Sequence, residues 1–192
     1  MELSPAERPD ALYRTLTSLV VPRPIGWIST IDGQGQPNLA PYSYFNAVSS
    51  RPPVVMFSGG VRDGDPKDTP ANALETGEFV ANLVTEDLVE AMDRTSASVA
   101  GDEFEFAGLT PESAATVAPH RVAEAHAHLE CTVRESLTIG SNTVVFGDVR
   151  HVHVEDDLLT DGAVDTRKVD AVGRLGGSYY TRIDRLDFER TY

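Results

Sequence analysis

PRPIGWISTIDGQGQPNLAPYSYFN, residues 22–46, reads as two strands joined by a turn. Residues 25–31 are rich in β-formers and carry the single tryptophan, Trp27. Asp32-Gly33-Gln34-Gly35-Gln36 supplies turn chemistry, because glycine reaches positive φ without steric cost. Residues 38–45 return as a second extended segment. The stretch is more polar than a hairpin needs: Ser43 and Asn46 bracket two aromatics, and Arg23 is pinned between Pro22 and Pro24. Such a set suits a flat, polar, anionic ligand. Backbone amides with Ser and Asn side chains can bond the edge of a heteroaromatic ring, and Trp27, Tyr42, Tyr44 and Phe45 can wall it. The same residues also suit turns and a core, and the stretch alone leaves both readings open.

Outward from this stretch, the pattern stays mostly β. Upstream, 10–19 reads as a short helix with Asp10 as N-cap and Leu12, Leu16 and Leu19 on one stripe. Downstream, Arg51-Pro52-Pro53 breaks the chain, and 54–57 is a continuous apolar run, the mark of a strand buried on both faces, ended by Ser58-Gly59-Gly60. A second helix is framed by Thr69 as N-cap, Pro70 at the first helical position and Gly77 as the C-terminal cap. Residues 79–84 form a strand and 85–94 another helix. Residues 95–120 have no clear periodicity and read as a long excursion of the functional kind. Strands resume over 125–154, with a turn at Gly140-Ser141-Asn142. The tail holds a glycine cluster at 173–177, then Tyr179-Tyr180 and a last short strand. Many strands, few short helices and no βαβ rhythm point to a β-barrel with helical insertions.

Composition narrows the function. A chain of 192 residues is expected to form one domain, spanning 1–192, with a core of its own. The formal net charge of −14 argues against a general nucleic-acid binder, since phosphate contacts need clustered Lys and Arg. The lone Cys131 permits no internal disulfide and fits a reducing, cytoplasmic location; on an alternating strand it reads as a buried small hydrophobe. MELSPAERPD has no apolar run of a signal peptide, and no stretch approaches the length of a membrane helix.

Lys67-Asp68-Thr69 opens the second helix. A helix N-terminus presents free N–H groups and a partial positive charge, and Lys67 and Thr69 add a full charge and a hydroxyl donor, so the trio suits a phosphate. A capped surface helix with a solvated lysine is the competing reading. Gly33-Gln34-Gly35 lacks the third glycine of a dinucleotide fingerprint, and no GxSxG elbow is present. His126 with His128, and His151 with His153, each share a strand face and could converge on a metal if their strands pair; the face opposite Leu129 and Cys131 is expected to be solvated, and no metal site is assigned. The acidic runs, Asp63 with Asp65 and 155–157, read as solvated loops.

PRPIGWIST, NLAPYSYFN, PPVVMFS, KDTPANALETGEFVANL, GDEFEFAGL, LEC and RLGGSYY, in this order over about 21–180, resemble the flavin reductase-like, FMN-binding split-barrel family. The resemblance implies a mainly β fold, a six-stranded split β-barrel (Greek key) with short helical insertions. It also implies a homodimer with one FMN per subunit near the interface. Carried over residue by residue, it sets Ala40, Pro41, Ser43 and Asn46 at the isoalloxazine ring and Lys67, Asp68 and Thr69 at the phosphate end, with Arg23, Trp27, Ser96 and Arg174 as further cofactor-binding candidates. No residue stands out as a general acid or base, which fits chemistry carried by a flavin. The implied function is NAD(P)H-dependent reduction of flavin, with reduced flavin passed to a partner monooxygenase or redox protein. The alternatives are a flavoredoxin-like FMN electron carrier with no small-molecule substrate of its own, or a flavin fold that has lost its cofactor.

Overall fold

Residues 8–62, 64–99 and 101–188, together with 2, 4, 6 and 191, are described by the computed structural model. Asp63 lies outside the described residues. The strands that build the main sheet are β1 (Gly26–Ile31), β2 (Pro37–Tyr42), β3 (Phe45–Ser50), β4 (Pro53–Arg62), β5 (Glu78–Asn82), β6 (Ala127–Ile139) and β7 (Asn142–Val154). They pair antiparallel in the order β2-β1-β5-β6-β7-β4-β3. The two ends of this path, β2 and β3, are joined in the chain through only Ser43 and Tyr44, and Ser58 N–H donates to Tyr44 O (2.8 Å). The two ends of the path thus meet at the 43–44 link, and the sheet curls round into a barrel. The helices lie outside it, α1 (Pro9–Leu19), α2 (Asp68–Thr76), α3 (Val89–Arg94) and α4 (Glu103–Ala107).

β1 organises the interior because it is covered on both faces. Ile28 points into one core with Tyr42, Phe57, Phe79, Cys131 and Val145. Trp27 points into a second with Leu39, Val84, Met92, Phe104 and Val122. Each such side chain contributes about 1.5–3 kcal/mol on burial. The barrel core is tight: a Cβ on Gly147 of β7 would collide with Phe79 and lie 3.1 Å from Cys131 Cβ. Cys131 is fully buried, and burial pushes its thiol up to about 12.

Several local expectations need correction. α1 begins at Pro9, so Asp10 is not its cap. The helix itself stands as read, and on its leucine stripe Leu16 and Leu19 are 51% and 76% exposed. Ser58-Gly59-Gly60 does not end β4; the strand continues to Arg62 because Thr143 and Asn142 of β7 pair with Gly59 and Gly60, and Pro70 packs on Gly59.

The face of β6 opposite Leu129 and Cys131 is covered, not solvated. His128 is 2% and Glu130 0% exposed. Residues 111–122 lie over them. Glu130 accepts from Ala115 N–H (2.8 Å), Thr116 N–H (2.6 Å) and the Thr116 hydroxyl (2.6 Å). Burial alone would raise its carboxyl, but these donors outweigh it and hold the group below the usual carboxylate range. Asn82 ties the same layer: its Oδ1 accepts from Val122 N–H (3.0 Å) and faces His128 Nδ1 (2.9 Å), while its Nδ2 donates to Trp27 O (2.9 Å). The second half of the long excursion is thus a structural cover.

Candidate functional site

α2 starts two residues earlier than the Thr69 cap implies. Lys67 is the N-cap, in extended conformation, and its carbonyl accepts from Ala71 N–H (3.2 Å). Thr69 is drawn inward instead: it is 1% exposed, and its hydroxyl accepts from Asn38 Nδ2 (2.8 Å), which leaves its O–H to donate. Pro70, the third helical residue, has no N–H. The orphan donors of this first turn are accordingly the amides of Asp68 and Thr69. Gly77 closes the helix in the left-handed region (φ 78°).

This helix end opens on a cavity of about 90 Å³ lined by Asn38, Ala40, Pro41, Lys67, Asp68, Thr69, Ser96 and Glu103. Lys67 makes no ion pair among the described residues. Two carboxylates oppose it. Asp68 is exposed on the first turn, and Glu103, whose Oε2 accepts from Leu39 N–H (3.3 Å), is pushed up by burial. Lys67 and Pro41 also line a larger cavity of about 630 Å³, whose walls include Thr17, Arg23, Ser43, Arg174, Gly176 and Tyr179. A third, of about 190 Å³, adjoins both through Pro41, Ser43, Ser96 and Arg174 and is closed by Ile25, Met92 and Tyr180. Tyr180 donates to Asp93 (2.6 Å) and lies under the Arg174 guanidinium (4.6 Å to the ring centroid); burial, then the Asp93 bond, lifts its hydroxyl to about 12. Pro41 stands where the three spaces meet.

Of the residues singled out from the sequence, Arg23, Ala40, Pro41, Ser43, Lys67, Asp68, Thr69, Ser96 and Arg174 come together on these walls. Two do not. Trp27 is fully buried behind the site, where its indole N–H donates to the Thr95 hydroxyl (2.9 Å) and fixes the segment that carries Ser96. Asn46 is exposed on β3, outside the three cavities. Arg23 is on the wall but 6% exposed, with its guanidinium turned to backbone carbonyls. Sequence reasoning passed over Thr17, Glu103, Tyr179 and Tyr180 as site residues. The last three sit in the GDEFEFAGL and RLGGSYY blocks, which were a usable signal; Thr17, on the first helix, gave none.

The four histidines do not converge. His128 and His153 are cross-strand partners with ring centroids 5.5 Å apart, and His151 stands exposed opposite Glu130. His126 turns to Glu155 (2.9 Å) and Asp157 (3.6 Å). His128 is held down to about 4 by burial first, then by Arg121 and His153.

Residues 18–173 match the flavin reductase like domain family. An uncharacterized protein of Aquifex aeolicus is 43% identical over 177 residues, 90% of either chain. Nitrilotriacetate monooxygenase component B from Bacillus cereus superimposes with a TM-score of 0.94 at 31% identity, over 99% of both chains. A flavin reductase (NADPH) of Lentzea aerocolonigenes is 29% identical over 149 residues, 76% of this chain and 81% of its own.

Proposed function

Because this chain belongs to the flavin reductase like domain family, we propose that it is an FMN-binding flavin oxidoreductase that takes electrons from NAD(P)H. The observation that carries the reading is the junction at Pro41. An anion seat, made by the first turn of α2 with Lys67, joins a cavity of about 630 Å³, a size that suits a cofactor ring. The residues fit the group. Lys67, the Asp68 and Thr69 amides and the Thr69 hydroxyl would hold the phosphate, against a modest counterfield from Asp68 and Glu103. Ala40, Pro41 and Ser43 would flank the ring, and Ser96 and Arg174 would close its far side. Bound flavin supplies the electron-accepting chemistry. The side chains' task is to bind, orient and keep water out, which accounts for walls without a poised acid or base.

The electron donor is supported by the name of the Lentzea aerocolonigenes relative, a flavin reductase (NADPH). Delivery of reduced flavin to a partner monooxygenase is supported by the Bacillus cereus structure, a monooxygenase component. A homodimer is supported by the apolar surface that α1 leaves uncovered: Tyr13, Leu16, Leu19 and Val20 are all more than half exposed beside the large cavity. Among the described residues no helix is long and apolar enough to cross a membrane.

The test is an NADH and NADPH oxidation assay with purified protein and added FMN, run with gel filtration of the reduced product. The reading predicts multiple turnovers and release of reduced flavin. Reduction without release would make the protein an electron carrier. An absence of oxidation with either nucleotide in FMN-loaded protein would remove the reductase reading.

A further inference from the structure

Arg23 spends its guanidinium on the protein's own backbone. Nη1 donates to the carbonyls of Thr17 and Val20 (3.0 Å to the latter), Nη2 to Leu175 O (2.9 Å) and Nε to Ser43 Oγ (3.3 Å). Four N–H groups are engaged and one is left, too few for the paired fork that arginine offers a phosphate. Thr17 and Val20 close α1, where orphan carbonyls form the negative end of the helix dipole. α1 has no basic residue in its own last turn, so Arg23 supplies that charge from outside. Leu175 opens a tight strap, 175–179, whose ends are tied by Leu175 N–H to Tyr179 O (2.9 Å). The strap also presses on α1: a Cβ on Gly176 would collide with Ser18 Oγ and lie 3.1 Å from Ser18 Cα. Gly176, Gly177 and Tyr179 wall the large cavity with Ser43 and Lys67.

We propose that Arg23 is a positioning residue, the clasp that fastens the strap 175–179, the end of α1 and the bend at Ser43 around the ligand cavity, and that it does not itself hold the ligand's phosphate. One guanidinium bonds all three segments, so the cavity's rim is a single unit that opens or stays shut together. The consequence for ligand affinity rests on the flavin reading above; the clasp itself does not.

Two variants separate geometry from charge. Arg23→Lys keeps the charge and loses the fork. Gly176→Ala leaves Arg23 intact and forces the strap off Ser18. Amide hydrogen exchange is followed in the ligand-free protein, and dissociation constants are measured for FMN and riboflavin. Each variant should speed exchange in the strap and at the end of α1 by about tenfold or more, with β5 and β6 unchanged. Both flavins should weaken by a similar factor, about tenfold, leaving the FMN-to-riboflavin ratio at its wild-type value. Wild-type exchange in the strap of either variant overturns the clasp; so does selective loss of FMN in Arg23→Lys, which would make the residue a phosphate ligand. Should Arg23→Lys fail to fold, Gly176→Ala decides alone. Should the wild type bind neither flavin, the flavin reading falls, and the exchange rates still decide the clasp.

Discussion

Acid should destabilise this protein through His128, in a defined pH window. The imidazole is 2% exposed, faces Asn82 Oδ1 with Nδ1 at 2.9 Å, and has its pKa lowered from 6.5 to about 4. The unfolded chain therefore binds this proton more readily than the folded one. The stability tied to the neutral ring is fully present above pH 6.5, falls as pH drops from 6.5, and is lost by about pH 4. The shift corresponds to at most about 3 kcal/mol, taking about 1.4 kcal/mol per unit. For a protein of this size that is a fall of roughly 6–12 °C in melting temperature. The comparison is His128→Asn, which removes the titrating group and keeps an amide N–H for Asn82. The variant starts less stable, so the readout is slope. Unfolding free energies are measured from pH 8 to 4 at one protein concentration. Carboxylates titrate in both proteins and cancel in the difference, which should change by about 3 kcal/mol between pH 7 and 4. A difference that stays flat across that range would falsify the assignment of His128 as a buried neutral imidazole.

Other outcomes follow from particular contacts. Glu130→Ala leaves the Ala115 and Thr116 amides and the Thr116 hydroxyl without their acceptor; melting should fall by an amount equivalent to at least about 1–3 kcal/mol, and protease should cut 111–122 sooner, whereas unchanged digestion would mean the cover is held elsewhere. Lys67→Ala should weaken FMN roughly tenfold or more while riboflavin changes far less, read as the ratio of the two dissociation constants; a constant ratio would place the phosphate away from α2. Light scattering at micromolar concentration should give a dimer mass, and Leu16→Glu, at a position 51% exposed in one chain, should shift it toward monomer without unfolding; a monomeric wild type with FMN bound contradicts the paired arrangement.

What was legible in the sequence was local. The β1–β2 turn is written in Asp32-Gly33-Gln34-Gly35-Gln36 and the end of α2 in Gly77, because each depends on a few consecutive residues. What escaped depended on partners far along the chain. Thr69 looks like a cap until Asn38, 31 positions upstream, takes its hydroxyl inward. Arg23 is a cofactor-binding candidate from its neighbours in sequence, which do not announce that Leu175, 152 positions away, will bring its carbonyl to the same guanidinium. His128 and Glu130 look solvated on a strand that alternates, because nothing in that strand announces that 111–122 will lie over it. The leucines of α1 make a helical stripe as read, but a stripe does not say whether it is covered by its own chain or by another.

The cavities meeting at Pro41 are proposed to hold a flavin nucleotide. The most direct measurement is titration of the ligand-free protein with FMN, following ring fluorescence, the visible spectrum and melting temperature together. Saturation at one FMN per chain is expected, with an altered flavin spectrum and a melting temperature that rises with ligand concentration, because a ligand that binds only the folded state must stabilise it. Fluorescence and melting temperature that both stay at their ligand-free values through the titration would contradict it.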